Sequence, residues 1–113
     1  MGKKSEIELE MKYYDAKYEP TYNRYFKMVE ELFGVSKEDL CGKRRDTTTI
    51  RFARMIYTYH CREKAIPFLT INASLGRTSN ASIYNYQKYK DLYGIDEYFT
   101  HLADMAINWD KNH

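Results

Sequence analysis

The stretch Leu75-Gly76-Arg77-Thr78-Ser79-Asn80-Ala81-Ser82-Ile83 determines how this chain is interpreted. Apolar residues at helical spacing after Pro67 predict a short helix over Phe68–Leu75, which Gly76 is expected to end. Asn80 is a good N-cap for a second helix over Asn80–Asp91. A short helix, a glycine-containing turn and a second helix are the pattern of a helix-turn-helix module.

Helices are also predicted on both sides of this module, because apolar residues recur at helical spacing between capping residues and glycines. The predicted elements are a first helix capped by Ser5 and stopped by Pro20, a second capped by Thr21 and ended by Gly34, a turn capped by Ser36, a long helix from Thr47 to about Lys64, and a last helix after Gly94. We therefore predict an all-α fold with one domain, residues 1–113. Residues 25–92 would form its helix-turn-helix core, and residues 1–19 and 95–113 would add one helix at each end.

Each predicted helix has an apolar face that is expected to turn inward. The inward residues are Ile83, Tyr86 and Tyr89 in the penultimate helix and Tyr98, Leu102, Met105 and Trp109 in the last. The 12 tyrosines are expected at the half-buried edge of the core or at an interface. His60 is expected to be a packed core histidine. The expected solvated acidic face consists of Asp96, Glu97, Asp104 and Asp110.

The charge of the chain is unevenly distributed. Residues 1–36 carry six Lys or Arg and seven Asp or Glu, a net charge of −1. Residues 37–93 carry eleven basic and five acidic residues, a net charge of +6, and residues 94–113 carry one and four, a net charge of −3. A basic middle between acidic ends indicates a polyanionic partner for the middle segment, although a solvated basic face gives the same pattern.

Other classes of protein have little support in the sequence. Cys41 and Cys61 lie 20 residues apart without a CxxC pair, so we expect a reduced cytoplasmic protein without a zinc site. No stretch approaches about 18 apolar residues, so no membrane span is expected. The chain has no GxxxxGK[ST] run, and the adjacent His60 and Cys61 would point about 100° apart on a helix. We therefore expect no catalysis and no cofactor.

Several short motifs are together more specific than the helix-turn-helix pattern. They are Leu32–Ser36 (LFGVS), Glu38–Leu40 (EDL), Gly42–Arg45 (GKRR), Ala53–Ile56 (ARMI), Arg62-Glu63 and Leu75–Ile83 (LGRTSNASI). In these motifs, which cover roughly residues 25–92, the chain resembles the DNA-binding C-terminal domain of the bacterial replication initiator DnaA. The resemblance implies a Trp-repressor-like helix-turn-helix that binds double-stranded DNA in replication or transcription regulation, without the initiator's ATPase domain.

The resemblance also implies roles for single residues. The family's base-reading run falls on Ser79, Asn80, Ala81 and Ser82 at the start of the recognition helix, with Asn85 one turn later. Only Ser82 is chemically close to the family's residue, so the family's usual DNA box is not expected to carry over. Asn80 is open to two interpretations, a helix cap and a base contact.

Minor-groove and phosphate contacts are expected from the cations Lys43, Arg44, Arg45, Arg54, Arg77 and Lys88. Arg45 is the best match for the family's minor-groove arginine, and Arg54 for its phosphate-contacting arginine. We call residues 42–46 the basic loop. Compared with the DnaA family, this chain has one more residue between the basic loop and the long helix, so Arg44 and Arg51 remain alternatives for these roles. A solvated loop is the structural alternative for residues 43–45.

Two functional hypotheses follow from the sequence. The first is sequence-preferring binding of double-stranded DNA without catalysis. The second is a protein-interaction module that keeps the fold but has lost DNA readout, which the substituted base-reading run and the many tyrosines favour. A homodimer built through Tyr14, Tyr18, Leu102 and Trp109 is a third possibility, but we expect a monomer whose terminal helices pack on their own core.

Overall fold

The computed structural model describes residues 13–42, 46–77 and 81–113, so the predicted cap at Ser5 and most of the predicted first helix lie outside the described residues. After a 3-10 turn at Ala16–Tyr18, the described residues form six α-helices: α1 (Glu19–Phe33), α2 (Lys37–Leu40), α3 (Thr48–Glu63), α4 (Phe68–Ser74), α5 (Ala81–Leu92) and α6 (Glu97–Asn112). No strand occurs in these ranges. The predicted all-α fold is therefore confirmed.

Local sequence sets most helix ends as predicted. The Ser36 hydroxyl accepts a hydrogen bond from the backbone N–H of Asp39, whose carboxylate accepts one from the Ser36 N–H, both at 3.1 Å. This reciprocal pair is the predicted capping box, and it satisfies two N–H groups at the start of α2. Thr47 caps α3 by accepting from the Ile50 N–H at 3.2 Å. Gly34 ends α1 in the left-handed region, with φ of +67°.

The start of α1 differs from the prediction. Pro20 was expected to stop a preceding helix and Thr21 to cap the next one, but α1 already begins at Glu19, after Tyr18. Pro20 occupies the first turn, where its missing N–H has no helical partner to lose and its fixed φ suits the helix. The proline therefore starts this helix instead of separating two.

The long helix α3 lies at the centre of the fold and contacts each of the other five α-helices in the described part of the chain. Its apolar residues Ile50, Ala53, Ile56 and Tyr57 are buried, as predicted. Because neighbours cover α3 on nearly all sides, its polar residues are buried as well, and their hydrogen bonds decide how adjacent elements are held. The buried polar residues of α3 are Arg54, Thr58 and His60.

Tyrosines line the contact between α3 and α5. The rings of Tyr59 and Tyr89 are stacked, with centroids 3.8 Å apart and an interplanar angle of 5°. Tyr93 continues the stack 5.9 Å from Tyr89, and Tyr86 stacks on Tyr59 at 5.6 Å. The Tyr86 hydroxyl donates to the Glu63 carboxylate at 3.2 Å. These rings fill the edge of the core while their polar tips reach its surface, which matches the expected use of tyrosine.

The predicted inward faces of α5 and α6 are correct only in part: Tyr89, Leu102 and Trp109 are buried as predicted, but other residues differ. In α5 the buried residues are Ser82, Asn85 and Tyr89, whereas Ile83 is 38% exposed. In α6 the fully buried aromatic residue is Phe99, whereas Tyr98 is 46% exposed. Both differences arise because a specific partner outweighs the hydrophobic pattern: Asn72 binds Ser82, and Phe99 packs on Phe52 and Tyr89.

Candidate nucleic-acid interface

Asn72 connects α4 to α5. Its side-chain oxygen accepts from the backbone N–H of Ser82 at 2.8 Å and from the Ser82 hydroxyl. Its backbone oxygen accepts from the Arg77 N–H at 2.9 Å, which closes the turn after α4. Asn72 is 3% exposed and Ser82 is fully buried. Asn72 of α4 therefore binds both the turn and the start of α5. It acts as a cap for α5 from another helix, which the sequence pattern did not reveal.

A cleft of about 240 Å³, which we call the basic cleft, lies between the start of α3 and the start of α5. Its walls include Asp46, Arg51, Arg54, Arg77, Ala81 and Tyr84. Gly42, in the left-handed region with φ of +71°, lies beside the Arg77 guanidinium and leaves no room there for a Cβ atom. The cleft thus brings Arg51, Arg54 and Arg77 next to the first turn of α5.

Arg54 lies in the interior of this region. It is 6% exposed, and its Nε donates to the Leu40 carbonyl oxygen at 2.7 Å. Its Nη2 forms an ion pair with the Asp46 carboxylate at 3.0 Å. The predicted phosphate contact by Arg54 therefore needs correction: the guanidinium is occupied by α2 and by Asp46, so it positions these elements. The exposed arginine at the start of α3 is Arg51.

Arg51 and Arg77 are less fully paired. Among the described residues, Arg51 makes only long contacts, to the Asp46 carbonyl oxygen at 3.3 Å and to the Thr48 hydroxyl at 3.4 Å. The Nε of Arg77 is buried and has no hydrogen-bond partner among the described residues. Burial and the neighbouring Arg54 guanidinium lower the pKa of Arg77. An anion in the cleft would offset both effects.

The predicted base-reading residues in the described part of α5 divide into two groups. Ala81 is half-buried and lines the cleft, as a contact residue requires. Ser82 and Asn85 are 0% and 6% exposed, so neither belongs to the outer face of α5: Ser82 binds Asn72 of α4, and Asn85 is buried in the wall of the cleft. Lys88 is half-buried, and its ammonium lies 5.9 Å from the centroid of the Tyr84 ring.

Five predicted site residues lie outside the described residues: Lys43, Arg44, Arg45, Ser79 and Asn80. The described residues that flank these two segments meet at the basic cleft, because Gly42 lies beside Arg77 and both Asp46 and Ala81 line the cleft. The sequence neighbours of the two predicted contact clusters are therefore on one side of the molecule.

Charged and aromatic residues of α1 and α6 form a second group, which we call the α1–α6 junction: Arg24, Tyr25, Glu31, Trp109 and Asp110. Arg24 donates to the Asp110 carboxylate from Nη2 at 2.7 Å and from Nε at 3.1 Å. The Tyr25 hydroxyl donates to the same carboxylate at 3.1 Å. The indole N–H of Trp109 donates to Glu31 at 2.7 Å. Asp110 was expected on a solvated acidic face, but it is a half-buried partner of α1, and that prediction is wrong.

His60 packs behind this junction. It is 6% exposed, its ring centroid lies 5.3 Å from that of Tyr25, and its Nδ1 lies 3.5 Å from the Asp110 carboxylate. Burial lowers the pKa of His60, and the nearby Asp110 opposes that shift without cancelling it. The predicted packed core histidine is confirmed. Leu102 and Trp109, two residues considered for a homodimer, are 6% and 7% exposed and belong to the chain's own core.

Two further classes of feature were searched for in the described ranges. None of the described helices is both long and apolar enough to cross a bilayer. No group of three or more His, Cys, Asp or Glu side chains there is arranged to hold a metal ion.

No protein-family model, curated protein or solved structure matches the chain. The resemblance to the DnaA C-terminal domain therefore stays a prediction.

Proposed function

We propose that this protein binds double-stranded DNA without catalysis, through a helix-turn-helix formed by α4 and α5. The observation that carries the proposal is the basic cleft, in which Arg51 and Arg77 lie next to the first turn of α5. A helix-turn-helix needs the start of its second helix at the base edges and cations beside it at the phosphates. The resemblance to the DnaA domain supports the same function independently of this geometry.

The cations are divided by the structure into two kinds. Arg54 supports the site from within, since its guanidinium is paired with Leu40 and Asp46. Arg51, Arg77 and Lys88, together with Lys43, Arg44 and Arg45 of the basic loop, are proposed as the phosphate and minor-groove contacts. A phosphate oxygen at Arg77 would supply the partner that its Nε lacks among the described residues.

Binding of labelled duplexes, measured by fluorescence anisotropy over a range of salt concentrations, tests the proposal. About six phosphate contacts predict that log affinity falls with log salt with a slope near −5. Arg45→Ala and Arg51→Ala should weaken binding to every duplex, whereas Asn80→Ala should change the preference between sequences. Lys111→Ala, which removes an exposed cation at the end of α6, is the matched control and should bind as the parent does.

Selection from a random duplex library supplies the preferred sequence for these measurements. Failure of the parent protein to retain any duplex at low salt, or affinity that does not depend on salt, would contradict the proposal. Sedimentation at micromolar concentration accompanies the titration, and we expect a monomer in the absence of DNA.

The second candidate is a protein-interaction module. It is favoured by the large apolar side chains that remain on the surface, of which Ile95 at 80% and Tyr84 at 55% are the most exposed. The two candidates separate in one comparison, because a protein partner would be sensitive to Ile95→Ala and largely insensitive to Arg51→Ala, whereas a duplex would show the reverse.

A further inference from the structure

The outer face of α5 differs from the base-reading set that the sequence suggested. With Ser82 and Asn85 turned inward, three side chains remain exposed on the first two turns. They are Ile83 at 38%, Tyr84 at 55%, and Gln87. Residues three and four positions apart lie on the same side of a helix, so Gln87 follows both Ile83 and Tyr84 along one continuous surface.

The chemistry of this surface matches one kind of base pair. In the major groove an A·T pair presents the thymine methyl group and, on adenine, the N7 acceptor with the N6 donor. Apolar side chains contact the methyl group, and a glutamine amide binds N6 and N7 together. Ile83 and Tyr84 provide the apolar contact, and Gln87 provides the amide.

A G·C pair lacks a matching partner on this surface. Guanine is read most often by an arginine or lysine that binds O6 and N7. None of the exposed side chains on α5 from residue 81 to residue 87 is a cation. The next residue, Lys88, is half-buried with its ammonium 5.9 Å from the centroid of the Tyr84 ring, and we assign it to the phosphates. The nearest arginines, Arg51 and Arg77, lie in the basic cleft beside this face, where they are placed for phosphates.

We propose that Ile83, Tyr84 and Gln87 form the base-reading surface of α5 and that this surface selects A·T pairs through the major groove. The inference rests on the proposed DNA-binding function and adds the residues and the class of base pair. Tyr84 connects the two parts of the site, because its ring lines the cleft that contains Arg51 and Arg77. An apolar and amide surface flanked by guanidinium groups fits a duplex, whose phosphates flank its base edges.

Four synthetic duplexes of equal length test the inference: alternating A·T, alternating A·U with deoxyuridine, alternating G·C, and alternating I·C with deoxyinosine. Deoxyuridine removes only the thymine methyl group, so A·U should bind about fourfold more weakly than A·T for each methyl contacted. An I·C pair resembles A·T in the minor groove and G·C in the major groove, because hypoxanthine lacks only the 2-amino group of guanine. We therefore expect I·C to bind as weakly as G·C.

Variants assign this preference to single residues. Tyr84→Ala and Ile83→Ala should each reduce the ratio of A·T to A·U affinity toward one, while Gln87→Ala should reduce the ratio of A·T to G·C affinity by at least about fivefold. Ile95→Ala is the matched control, since it removes an exposed apolar side chain beyond the end of α5 and should leave all four affinities unchanged. All three test positions are exposed, so circular dichroism should show an unchanged fold.

The results distinguish the inference from the function on which it rests. Equal affinity for A·T and A·U, or I·C binding as tightly as A·T, would overturn the inference, and salt-dependent binding to these duplexes would still support the proposed function. Absence of binding to all four duplexes and to the library-selected sequence would overturn both. Retention of the A·T preference in a Tyr84→Ala, Ile83→Ala, Gln87→Ala triple variant would assign it elsewhere and contradict the inference.

Discussion

The α1–α6 junction and the basic cleft both contain arginines, but the arginines in the two regions have different partners. In the junction, Arg24 donates twice to the Asp110 carboxylate and once to its carbonyl oxygen, and its guanidinium lies 5.1 Å from the centroid of the Trp109 ring. In the cleft, Arg77 lies beside a like charge, Arg54, and its Nε has no partner among the described residues.

This difference separates charge that stabilises the fold from charge that is free to bind. Removing the carboxylate from a paired, half-buried guanidinium strongly lowers the stability of the fold, because the desolvation of the remaining charge is no longer compensated. Arg77 forms no ion pair among the described residues, and the Arg54 charge opposes the attraction of Asp46, so its substitution should act mainly on a ligand. Each prediction below either changes one region and leaves the other intact, or tests the link between them.

The largest expected effect belongs to the α1–α6 junction. Asp110→Ala removes the acceptor of Arg24 and Tyr25, and we expect the free energy of unfolding to fall by about 3 kcal/mol, since hydrogen bonds to charged groups are each worth about 1.5–3 kcal/mol. Urea unfolding followed by circular dichroism measures this loss. Duplex affinity under folding conditions should not change. Glu97→Ala, at an exposed position of the same helix, is the control. Equal stability of the two variants would contradict the assigned role of Asp110.

Asn72→Ala should have the next largest effect, and it links stability to the cleft. It leaves the Ser82 N–H and hydroxyl buried without their acceptor, which predicts a loss of about 2 kcal/mol in the free energy of unfolding. Because the Asn72 side chain holds the first turn of α5 through Ser82, the start of α5 should also be displaced and duplex affinity should fall. A variant that loses stability but binds duplexes as the parent does would show that the start of α5 is not part of the interface.

Arg77→Gln should show the opposite balance. The substitution removes a charge that has a cationic neighbour, so the free energy of unfolding, measured in urea, should change by less than about 0.5 kcal/mol. Duplex affinity should fall at low salt, and the slope of log affinity against log salt should become less steep by about one. Stability and affinity are measured on the same preparation. A large loss of stability with no change in the salt slope would make Arg77 a structural residue like Arg24.

The smallest effect is a pH dependence that arises at the junction. Because burial lowers the pKa of His60, the folded protein binds the imidazole proton more weakly than the unfolded chain, whose histidine titrates near pH 6.5. Stability should be level above about pH 6.5 and decrease as the pH falls below it. His60→Gln should remove this decrease, whereas the exposed His101→Gln should retain it. A profile that is flat down to pH 5 in the parent protein would contradict the assignment.

Asp110 should add a separate loss at more acidic pH. Burial alone would raise the pKa of this carboxyl group, but the hydrogen bond from Arg24, followed by His60 and Tyr25, lowers it overall. A carboxylate with a lowered pKa stabilises the fold above its unfolded value, and this contribution disappears as the pH falls through the folded value. The loss near pH 4 and below should therefore persist in His60→Gln.

The sequence predicted the helices and their ends better than it predicted their orientation. The caps at Ser36 and Thr47 and the helix end at Gly34 were predictable, because each depends on a side chain and a backbone group within a few residues. The inward faces of α5 and α6 were predictable only in part, since Tyr89, Leu102 and Trp109 are buried as expected. The burial of Ser82 was not predictable, because it depends on a contact with Asn72, in a different helix.

The candidate site shows the same distinction. The resemblance placed the cations and the start of α5 in one functional group, and the cleft is consistent with that grouping. It could not show that Arg54 is buried against Leu40, or that Asp110 pairs with Arg24 across 86 positions of the chain. Nor did it indicate Tyr84 and Gln87, since their importance follows from Ser82 and Asn85 turning inward.

Trp109, held in the junction by Glu31 and stacked 4.3 Å from the His113 ring, is the chain's one tryptophan. Its indole emission is therefore a built-in optical signal for the docking of α6 on α1. Binding of duplex DNA at the basic cleft should leave that emission nearly constant, while separation of α6 from α1 should change it strongly. Emission from this single side chain can thus distinguish loss of the folded scaffold from binding in the basic cleft.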